Sequence, residues 1–437
     1  MKIKYLISLA LLIALIYGLN YGITYAHIGA AYNAKMACSC VFVSGRSLES
    51  VEKEDLYAIP FARQTVDQEH KTVTSSIYGI SKTAIFRPGL GCTIENDKSE
   101  KELTTQWQGI DLSLGSDLEL PIDTAVNQST LSQINKTFDW AFDDSDTSHI
   151  VRTRAALVLH NGEVVAERYA HGFNQNTPLM GWSMTKSVTN AMIGILVQDH
   201  KLDIHKTGIV KEWLHDDRKN ITIDHLLRMS SGLDFEEVYT KVSDATKMLF
   251  LECGAGSFAM HSKAKYAPDT KWYYSSGATN ILQEIIKRSF TNTQDYIKFP
   301  HERLFDKLGM QSAIMEPDAC GTYVGSSYMF ATARDWAKFG QLYLDDGLHN
   351  GERILPEGWV KYSSTVTPAS DGEYAAHFWT GLRKKGLSGD CFMMDGFEGQ
   401  YVLIIPSKKL VIVRLGCTPA PHHFDMGKFS KEIVDLF

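Results

Sequence analysis

The hydrophobic pattern opens with an uncharged, mainly apolar run of 22 residues from Tyr5 to Ala26, which Lys2 and Lys4 precede. A helix of about 20 apolar residues is long enough to cross the ~30 Å hydrocarbon layer of a bilayer. Residues 1–28 are therefore predicted to form an uncleaved membrane anchor, with a cleaved signal segment as the alternative. The anchor would lie in a bacterial inner membrane, and in either case the remaining chain would lie in the periplasm.

Further along the chain, the pattern predicts strands near both ends and helices between them. The runs 155–160 and 163–169 flank Asn161-Gly162, a pair typical of a type I′ hairpin turn. Residues from about 200 to 345 instead carry a 3.6-residue period in several segments. Apolar runs typical of strands return at 391–394, 401–405 and 410–415. This order predicts a split α/β unit with a mostly helical domain inserted between its halves.

The part of the chain between the apolar run and residue 125 has a weaker pattern. Its short apolar stretches are interrupted by charged and polar residues, and it carries no motif typical of a catalytic site. We interpret residues 29–125 as an N-terminal extension that packs on the main domain. Residues 126–437 are interpreted as that main domain.

Composition and charge exclude several classes of protein. Hydrophobic residues make up 44% of the chain and charged residues 22%, which is typical of a globular protein and not of a disordered or fibrous one. The net charge is −7, and no basic block interrupts the sequence. Nucleic acid is therefore not an expected partner.

The seven cysteines are an odd number, so at least one thiol is free or bonded to another chain. An oxidising compartment favours disulfides among the others. Cys391 and Cys417 flank strand candidates of one terminal sheet and are predicted to pair. The cysteine and histidine spacings do not complete a tetrahedral zinc set, and neither a metal nor a cofactor is expected.

The most specific candidate for chemistry is Ser183-Met-Thr-Lys186, which precedes an apolar helical pattern. Residues three apart share a helix face, so the Lys186 nitrogen can reach the Ser183 oxygen. A serine hydroxyl needs a base to become a good nucleophile, and a lysine with a lowered pKa can supply one. A helix amino end also offers free N–H groups that stabilise negative charge. A simple helix cap at Ser183 is the alternative.

Two further segments carry residues that could take part in a catalytic site. Tyr274 follows the stretch Pro268-Asp-Thr270 just before a predicted helix, and a phenol near a lysine can relay a proton. Aromatic packing is the alternative for this tyrosine. Asp395-Gly-Phe-Glu-Gly399 falls between two predicted strands, where glycines let a backbone run close to a substrate or form a simple turn.

In this order, the segments resemble the motifs of the serine β-lactamase and penicillin-binding-protein superfamily. The resemblance is strongest to its class C-like branch, with family VIII esterases and 6-aminohexanoate-dimer hydrolases, and it covers roughly residues 150–416. The segments that carry it are Trp182-Ser-Met-Thr-Lys-Ser187, Tyr274-Ser-Ser276, Met394-Asp-Gly396, Leu226-Leu-Arg-Met-Ser-Ser-Gly-Leu233, Gly325–Gly340 and Gly396-Phe-Glu-Gly-Gln400.

The resemblance implies a β-lactamase-like α/β fold, with an antiparallel sheet flanked by helices and a helical inserted domain. It also implies a two-step acyl transfer. Ser183 would be the nucleophile, Lys186 the general base and Tyr274 the general acid and base. Backbone N–H groups of Ser183 and Phe397 would form the oxyanion hole, and Ser276, Asp395 and Gly396 would bind the substrate.

This sequence departs from the β-lactamase pattern at two motifs. Met394 and Asp395 stand where Lys-Thr or His-Thr is usual, and Ser276 stands where Asn is usual. The expected function is therefore hydrolysis of a small ester or amide by a membrane-anchored serine hydrolase. The alternatives are a non-catalytic binding or assembly module at the membrane, and a β-lactamase or D-alanyl-D-alanine carboxypeptidase. The sequence leaves the oligomeric state open.

Overall fold

The computed structural model describes residues 2–106, 110, 112 and 119–437 of the chain. The helices are α1 (Lys2–Phe42), α2 (Leu48–Glu54), α3 (Glu100–Thr105), α4 (Gln128–Ala141), α5 (Thr185–Gln198), α6 (Ile223–Leu227), α7 (Asp244–Phe250), α8 (Ala255–Met260), α9 (Ser276–Arg288), α10 (Thr293–Pro300), α11 (Asp306–Leu308), α12 (Ala333–Leu344), α13 (Trp359–Ser364) and α14 (Met426–Val434).

The strands follow the same order along the chain. They are β1 (Arg63–Asp67), β2 (Thr72–Ile77), β3 (Ile80–Arg87), β4 (Gly91–Ile94), β5 (Thr153–His160), β6 (Glu163–Tyr169), β7 (Leu179–Met180), β8 (Ile314–Met315), β9 (Met329–Ala331), β10 (Leu348–His349), β11 (Glu352–Arg353), β12 (Phe392–Gly396), β13 (Gln400–Ile405) and β14 (Leu410–Gly416). The predicted α/β fold is confirmed: an antiparallel sheet built from both ends of the main domain encloses a mainly helical middle section.

The central sheet has five antiparallel strands in the order β12-β13-β14-β5-β6. The β5–β6 connection is the predicted hairpin, since Asn161 (φ 54°) and Gly162 (φ 83°) both adopt the left-handed conformation of a type I′ turn. The sheet thus joins strands that lie more than 200 residues apart in the sequence. The helical section is the covalent connection between its two halves.

Both faces of the central sheet are covered, which explains why its strands read as continuous apolar runs. Every residue of β14 is buried. On β14, Val411 and Val413 pack into the core shared with α5 and α12, whereas Leu410 and Ile412 pack into the core shared with α4 and α14. Gly340 lets α12 approach closely, because a Cβ there would lie 2.7 Å from Val411.

The N-terminal part of the chain forms a second, four-stranded antiparallel sheet in the order β1-β2-β3-β4. This sheet packs on the second half of α1, and the Cys38–Cys92 disulfide joins α1 to β4. The boundary predicted after residue 28 falls inside α1, which runs unbroken from the exposed apolar segment into the protein core. Residues of α1 beyond Ile28 share the main hydrophobic core with α5 and α9.

A buried charged group fixes α1 to the rest of the protein. The Glu316 carboxylate, which directly follows β8, forms a buried ion pair with the Lys35 ammonium of α1. It also accepts hydrogen bonds from the Ser39 hydroxyl at 2.8 Å and from the Cys92 N–H at 2.6 Å. Burial of a single charge is costly, so each of the two charges needs the other as its buried partner. The group therefore specifies how α1 is seated.

The predicted Cys391–Cys417 disulfide is wrong, because both residues are buried free thiols. Cys391 precedes β12 and Cys417 follows β14, on opposite sides of β13. The strand register continues from the Phe392–Ile404 pair to place Cys391 level with Leu410, which lies seven residues before Cys417, or about 23 Å along a strand. A disulfide needs Cα atoms within about 7 Å of each other. Among the described residues the second disulfide is Cys253–Cys320, and Cys40 is a further buried free thiol.

Replacing Lys35 by alanine should lower the free energy of unfolding by about 3–5 kcal/mol, because the Glu316 carboxylate would remain buried without its cation. Urea denaturation of the detergent-solubilised chain, followed by tryptophan fluorescence, measures this loss. The matched control is Lys98→Ala, which breaks the exposed Lys98–Glu102 pair and should cost less than about 1 kcal/mol. Equal losses for the two variants would contradict the role given to the buried pair.

Candidate active site

Ser183 lies at the amino end of α5, in a single turn of 3-10 helix formed by Trp182–Met184. The preceding Trp182 adopts φ 47°, a left-handed conformation that costs a non-glycine residue about 1–3 kcal/mol. The turn is supported because the Gly181 N–H donates to the Met329 carbonyl of β9 at 2.8 Å. This strained turn places Ser183 between α5 and the end of β12, as the sequence predicts for the start of a helix.

The Lys186 side chain is buried and points at Ser183. Its Nζ donates to three oxygens: Ser183 Oγ at 3.0 Å, Ser276 Oγ at 3.1 Å and the Ser326 carbonyl at 2.9 Å. Burial lowers the pKa of Lys186 to about 8, and the Glu237 carboxylate opposes this shift by favouring the ammonium. A lysine with this pKa is partly neutral near physiological pH and can accept the Ser183 proton.

Tyr274 completes the group around the Lys186 nitrogen. Its ring centroid lies 4.8 Å from Lys186 Nζ, so the ammonium faces the aromatic ring. Burial raises the pKa of Tyr274, and a hydrogen bond with the Ser183 side chain opposes that shift. The phenol is therefore a neutral O–H group at physiological pH, held against the nucleophile. The structure thus brings Ser183, Lys186 and Tyr274 together.

Ser276 belongs to the same group but has a partner that the sequence did not indicate. Its N–H and its hydroxyl donate to the Glu237 carboxylate at 2.8 and 2.5 Å, and Tyr239 Oη lies 3.1 Å from Ser276 Oγ. Ser276 therefore links Lys186 on one side to Glu237 on the other. Because Ser276 begins α9, the Glu237 carboxylate also lies at the amino end of that helix, where negative charge is stabilised.

Asp395, Gly396 and Phe397 lie at the end of the edge strand β12, next to the turn that carries Ser183. A Cβ on Gly396 would lie 2.2 Å from the Gly181 carbonyl, so only glycine permits this close approach. The Phe397 ring is about half exposed and packs edge-on against Trp182 at 5.6 Å. Burial raises the pKa of Asp395 to about 7, and its carboxylate is close enough to raise the pKa of Tyr274.

His377 hydrogen-bonds to the backbone of Lys186 and not to its side chain. Its Nδ1 lies 2.8 Å from the Lys186 carbonyl and its Nε2 lies 3.1 Å from Thr279 Oγ1, which links α5 to α9. Burial lowers the pKa of His377 to about 3, so the ring is neutral and holds the backbone of Lys186 in place. The described residues contain no group of three His, Cys, Asp or Glu side chains arranged to hold a metal ion.

Four contributors were missed by sequence reasoning: Glu237, Tyr239, the Ser326 carbonyl and His377. Three of them had a usable signal. Glu237 and Tyr239 follow the stretch Leu226–Leu233 within six residues, and Ser326 lies inside the stretch Gly325–Gly340. His377 had none, since a single histidine in a loop does not indicate its partners. His422 and His423 were not expected to bind metal, and His423 is exposed near the carboxyl end.

Comparisons with known proteins identify the family and the fold. The Beta-lactamase family model matches residues 138–428. A 6-aminohexanoate-dimer hydrolase of Paenarthrobacter ureafaciens is 25% identical over 295 residues, which cover 62% of this chain and 74% of the relative. A solved Bacillus anthracis structure, assigned to the 6-aminohexanoate-dimer hydrolases, has a TM-score of 0.59 at 22% identity and covers 74% of this chain and 89% of its own. A solved family VIII carboxylesterase structure has a TM-score of 0.53 at 14% identity, and the match covers 72% of this chain and 98% of the carboxylesterase.

The pKa of Lys186 predicts how the reactivity of Ser183 depends on pH. Only a neutral amine can accept the serine proton, so labelling by a fluorophosphonate should rise about tenfold per pH unit below pH 8 and level off above it. Intact-protein mass spectrometry of samples quenched at intervals between pH 5.5 and 9.5 measures the rate.

Three variants separate the groups involved in this profile. Lys186→Ala should slow labelling by several orders of magnitude and remove the inflection near pH 8. Lys201→Ala, which removes an exposed lysine close to the end of α5, should leave the profile unchanged. Asp395→Asn should keep the inflection if Lys186 causes it. A rate that is flat from pH 6 to 9 in the unmodified chain would contradict the assignment of Lys186 as base.

Proposed function

We propose that this chain, which belongs to the beta-lactamase family of serine hydrolases, hydrolyses a small ester or amide through an acyl-enzyme formed on Ser183. The observation that carries the proposal is the 3.0 Å contact between Lys186 Nζ and Ser183 Oγ, combined with the pKa of about 8 that burial gives the lysine. The family supplies the reaction class, and these two residues supply the nucleophile and its base.

In the proposed acylation, neutral Lys186 accepts the Ser183 proton while Ser183 Oγ attacks the substrate carbonyl carbon. The oxyanion receives hydrogen bonds from the backbone N–H groups of Ser183 and Phe397, each worth roughly 2.7–4 kcal/mol of barrier reduction. Tyr274 delivers a proton to the leaving alcohol or amine as the scissile bond breaks. The protons of Lys186 and Tyr274 are coupled, so their pH dependence belongs to the pair.

Deacylation uses the same groups in reverse order. A water molecule gives its proton to the base pair and attacks the acyl carbon, and Ser183 leaves as its hydroxyl is reprotonated. Ser276 holds the Lys186 nitrogen in position through its 3.1 Å contact and carries the substrate-binding role predicted for the second motif. Gly396 provides the backbone edge along which the substrate would lie.

The charges around the site favour a cationic substrate over a β-lactam. Glu237 and Asp395 are two acidic groups beside the Ser183 pocket, and both raise the pKa of Tyr274. A β-lactam antibiotic carries a carboxylate, which these groups would repel. An ester or amide with a terminal amine would be attracted instead. The dimer in the name of the Paenarthrobacter ureafaciens relative is an amide with such an amine at one end and a carboxylate at the other, so only its amine end fits this charge.

We also propose that α1 anchors the protein in a bacterial inner membrane, with the hydrolase domain in the periplasm. An 18-residue window of α1 has a mean hydropathy of 2.0 and is wholly unburied. The helix continues without interruption from this window into the protein core, so its apolar and buried parts form one element. We propose the anchor in place of the cleaved signal segment, because cleavage would cut a continuous helix.

Ser183→Ala should abolish hydrolysis of a short p-nitrophenyl ester while leaving the thermal unfolding midpoint nearly unchanged, because the hydroxyl contributes to chemistry and little to packing.

Tyr274→Phe should lower kcat by at least two orders of magnitude, since general acid catalysis contributes about 10²–10⁴-fold. Steady-state kinetics with the ester and with nitrocefin, wild type beside each variant, provide the measurement. A folded wild type that neither turns over an ester nor is labelled by a phosphonate would point to a binding module.

A substrate with a terminal amine should show the contribution of Asp395. Above pH 7 this carboxylate is ionised, and KM for p-nitrophenyl 6-aminohexanoate should be about tenfold below that for p-nitrophenyl hexanoate, or ~1.4 kcal/mol. The preference should fall as the pH drops below 7, because Asp395 becomes neutral. Asp395→Asn should remove it at all pH values, whereas Asp371→Asn, which alters a fully exposed carboxylate, should not. An unchanged preference in Asp395→Asn would exclude this role.

A further inference from the structure

The apolar part of α1 contacts the loop that carries Glu237 and Tyr239, both of which contact Ser276. Tyr21, five residues before the end of the apolar run at Ala26, accepts a hydrogen bond from the Val242 N–H at 3.3 Å through its hydroxyl. Val242 lies three residues beyond Tyr239, whose hydroxyl lies 3.1 Å from Ser276 Oγ. A short chain segment thus connects the anchor helix to the catalytic group.

Large apolar side chains are also exposed beside α1 near Gly29, about two helical turns beyond Tyr21. Phe61 and Tyr78 stack on each other at 5.9 Å and are 56% and 90% exposed. They are seated beside α1 because their neighbours Ile59 and Ile77 pack against Gly29, where a Cβ would lie 2.9 Å from the Ile59 side chain. Exposed aromatic rings beside an apolar helix are typical of the interface between a bilayer and water.

The dimensions of α1 place the end of its apolar run at the membrane surface. A helix rises 1.5 Å per residue, so an apolar run that begins at Tyr5 covers about 30 Å by residue 25. When the run spans the bilayer, Tyr25 therefore lies at the boundary of the hydrocarbon layer and Tyr21 about 6 Å inside it, and the Tyr239 loop contacts Tyr21 next to this boundary. Tyr239 is itself half exposed, with its hydroxyl directed at the pocket and the rest of its ring open.

We infer that the mouth of the Ser183 pocket faces the bilayer surface and takes an amphiphile whose apolar chain stays in the membrane while its ester or amide carbonyl reaches Ser183. This inference rests on the proposed hydrolase function and the proposed anchor, and it identifies the substrate class. The occupant of the aromatic surface formed by Tyr21, Tyr25, Phe61, Tyr78 and Tyr239 is the lipid bilayer. Its apolar interior suits an all-round apolar helix, and its interface suits the tyrosine rings.

The chemistry of the pocket restricts the amphiphile further. Glu237 and Asp395 favour an amine in its polar portion, and the apolar chain extends away from them past Tyr239. The new bond forms between Ser183 Oγ and the carbonyl carbon, and the C–O or C–N bond to the leaving group breaks. The leaving alcohol or amine takes one proton, and water then releases the free acid and restores Ser183. A soluble product or a product retained in the membrane results, according to which side of the carbonyl carries the chain.

The orientation can be measured without catalysis. The full chain, with the environment-sensitive dye NBD on Tyr239→Cys or Tyr78→Cys, is reconstituted in vesicles of phosphatidylethanolamine and phosphatidylglycerol. Lipids brominated near the head group should quench both dyes at least about twofold, because interfacial side chains lie within reach of them. The matched control is Leu214→Cys, an exposed leucine that packs near Gly208. Equal quenching at 214 and 239, or none at 239, would overturn the orientation.

Substrate delivery is measured with two esters of the same leaving group. The double variant Phe61→Ser with Tyr78→Ser should lower kcat/KM for vesicle-borne p-nitrophenyl dodecanoate by about tenfold, since interfacial rings stabilise membrane contact. The same variant should leave soluble p-nitrophenyl acetate unchanged. The control pairs Leu214→Ser with Leu348→Ser, which removes two exposed leucines elsewhere and should alter neither rate.

The outcomes separate the inference from the proposals beneath it. A lower kcat/KM of the double variant on the vesicle-borne ester alone supports the inference. No change on either ester, or an equal loss on both, overturns it. Failure of the wild type to hydrolyse either ester would overturn the proposed hydrolase function and the substrate class together, while the quenching result would still decide the orientation. Failure of the full chain to float with vesicles would overturn the anchor and the membrane-facing mouth.

Discussion

The burial of the Lys186 ammonium is the constraint around which the site is organised. A charge removed from water must be given hydrogen-bond partners, and Lys186 obtains three from three different segments: the turn before α5, the start of α9 and the loop before β9. The same burial lowers its pKa to about 8 and so makes it a usable base. The burial of Lys186 therefore determines both its hydrogen-bond contacts and its strength as a base. The buried, neutral His377 extends the arrangement by tying the Lys186 backbone to α9.

The acidic groups beside Lys186 act in opposite directions on catalysis and on recognition. Glu237 favours the ammonium and works against the base role, yet it fixes Ser276 and lies at the amino end of α9. Burial gives Asp395 a pKa near 7, so it can carry charge in the range in which Lys186 begins to lose its own. Under the proposed function, these two acids disfavour an anionic antibiotic. Asp395 is also one of the departures from the β-lactamase motifs.

The parts that sequence could predict are those in which local spacing determines geometry. The Asn161-Gly162 turn, the strand runs and the Ser183–Lys186 pair follow from periods of two to four residues, and the structure contains all of them. Glu237 and Tyr239 lie within six residues of a recognised stretch, but their contacts with Ser276 do not follow from local spacing, because the course of their loop depends on contacts with α1 and α9. The Cys391–Cys417 pairing failed for a related reason. Sharing a sheet does not make two residues neighbours, and strand order and register are long-range properties.

Helix α1 also changes how the N-terminal part of the chain is understood. Sequence patterning separated an apolar segment from an extension, whereas α1 is one helix whose first half is exposed and whose second half is locked into the core by Glu316 and the Cys38–Cys92 disulfide. A helix held this firmly cannot pivot freely relative to the domain. Under the proposed anchor, its exposed half would set the direction from which the bilayer meets the protein. The Tyr239 loop contacts that half at Tyr21, so the position of the loop relative to α1 depends on the same buried contacts that seat the helix.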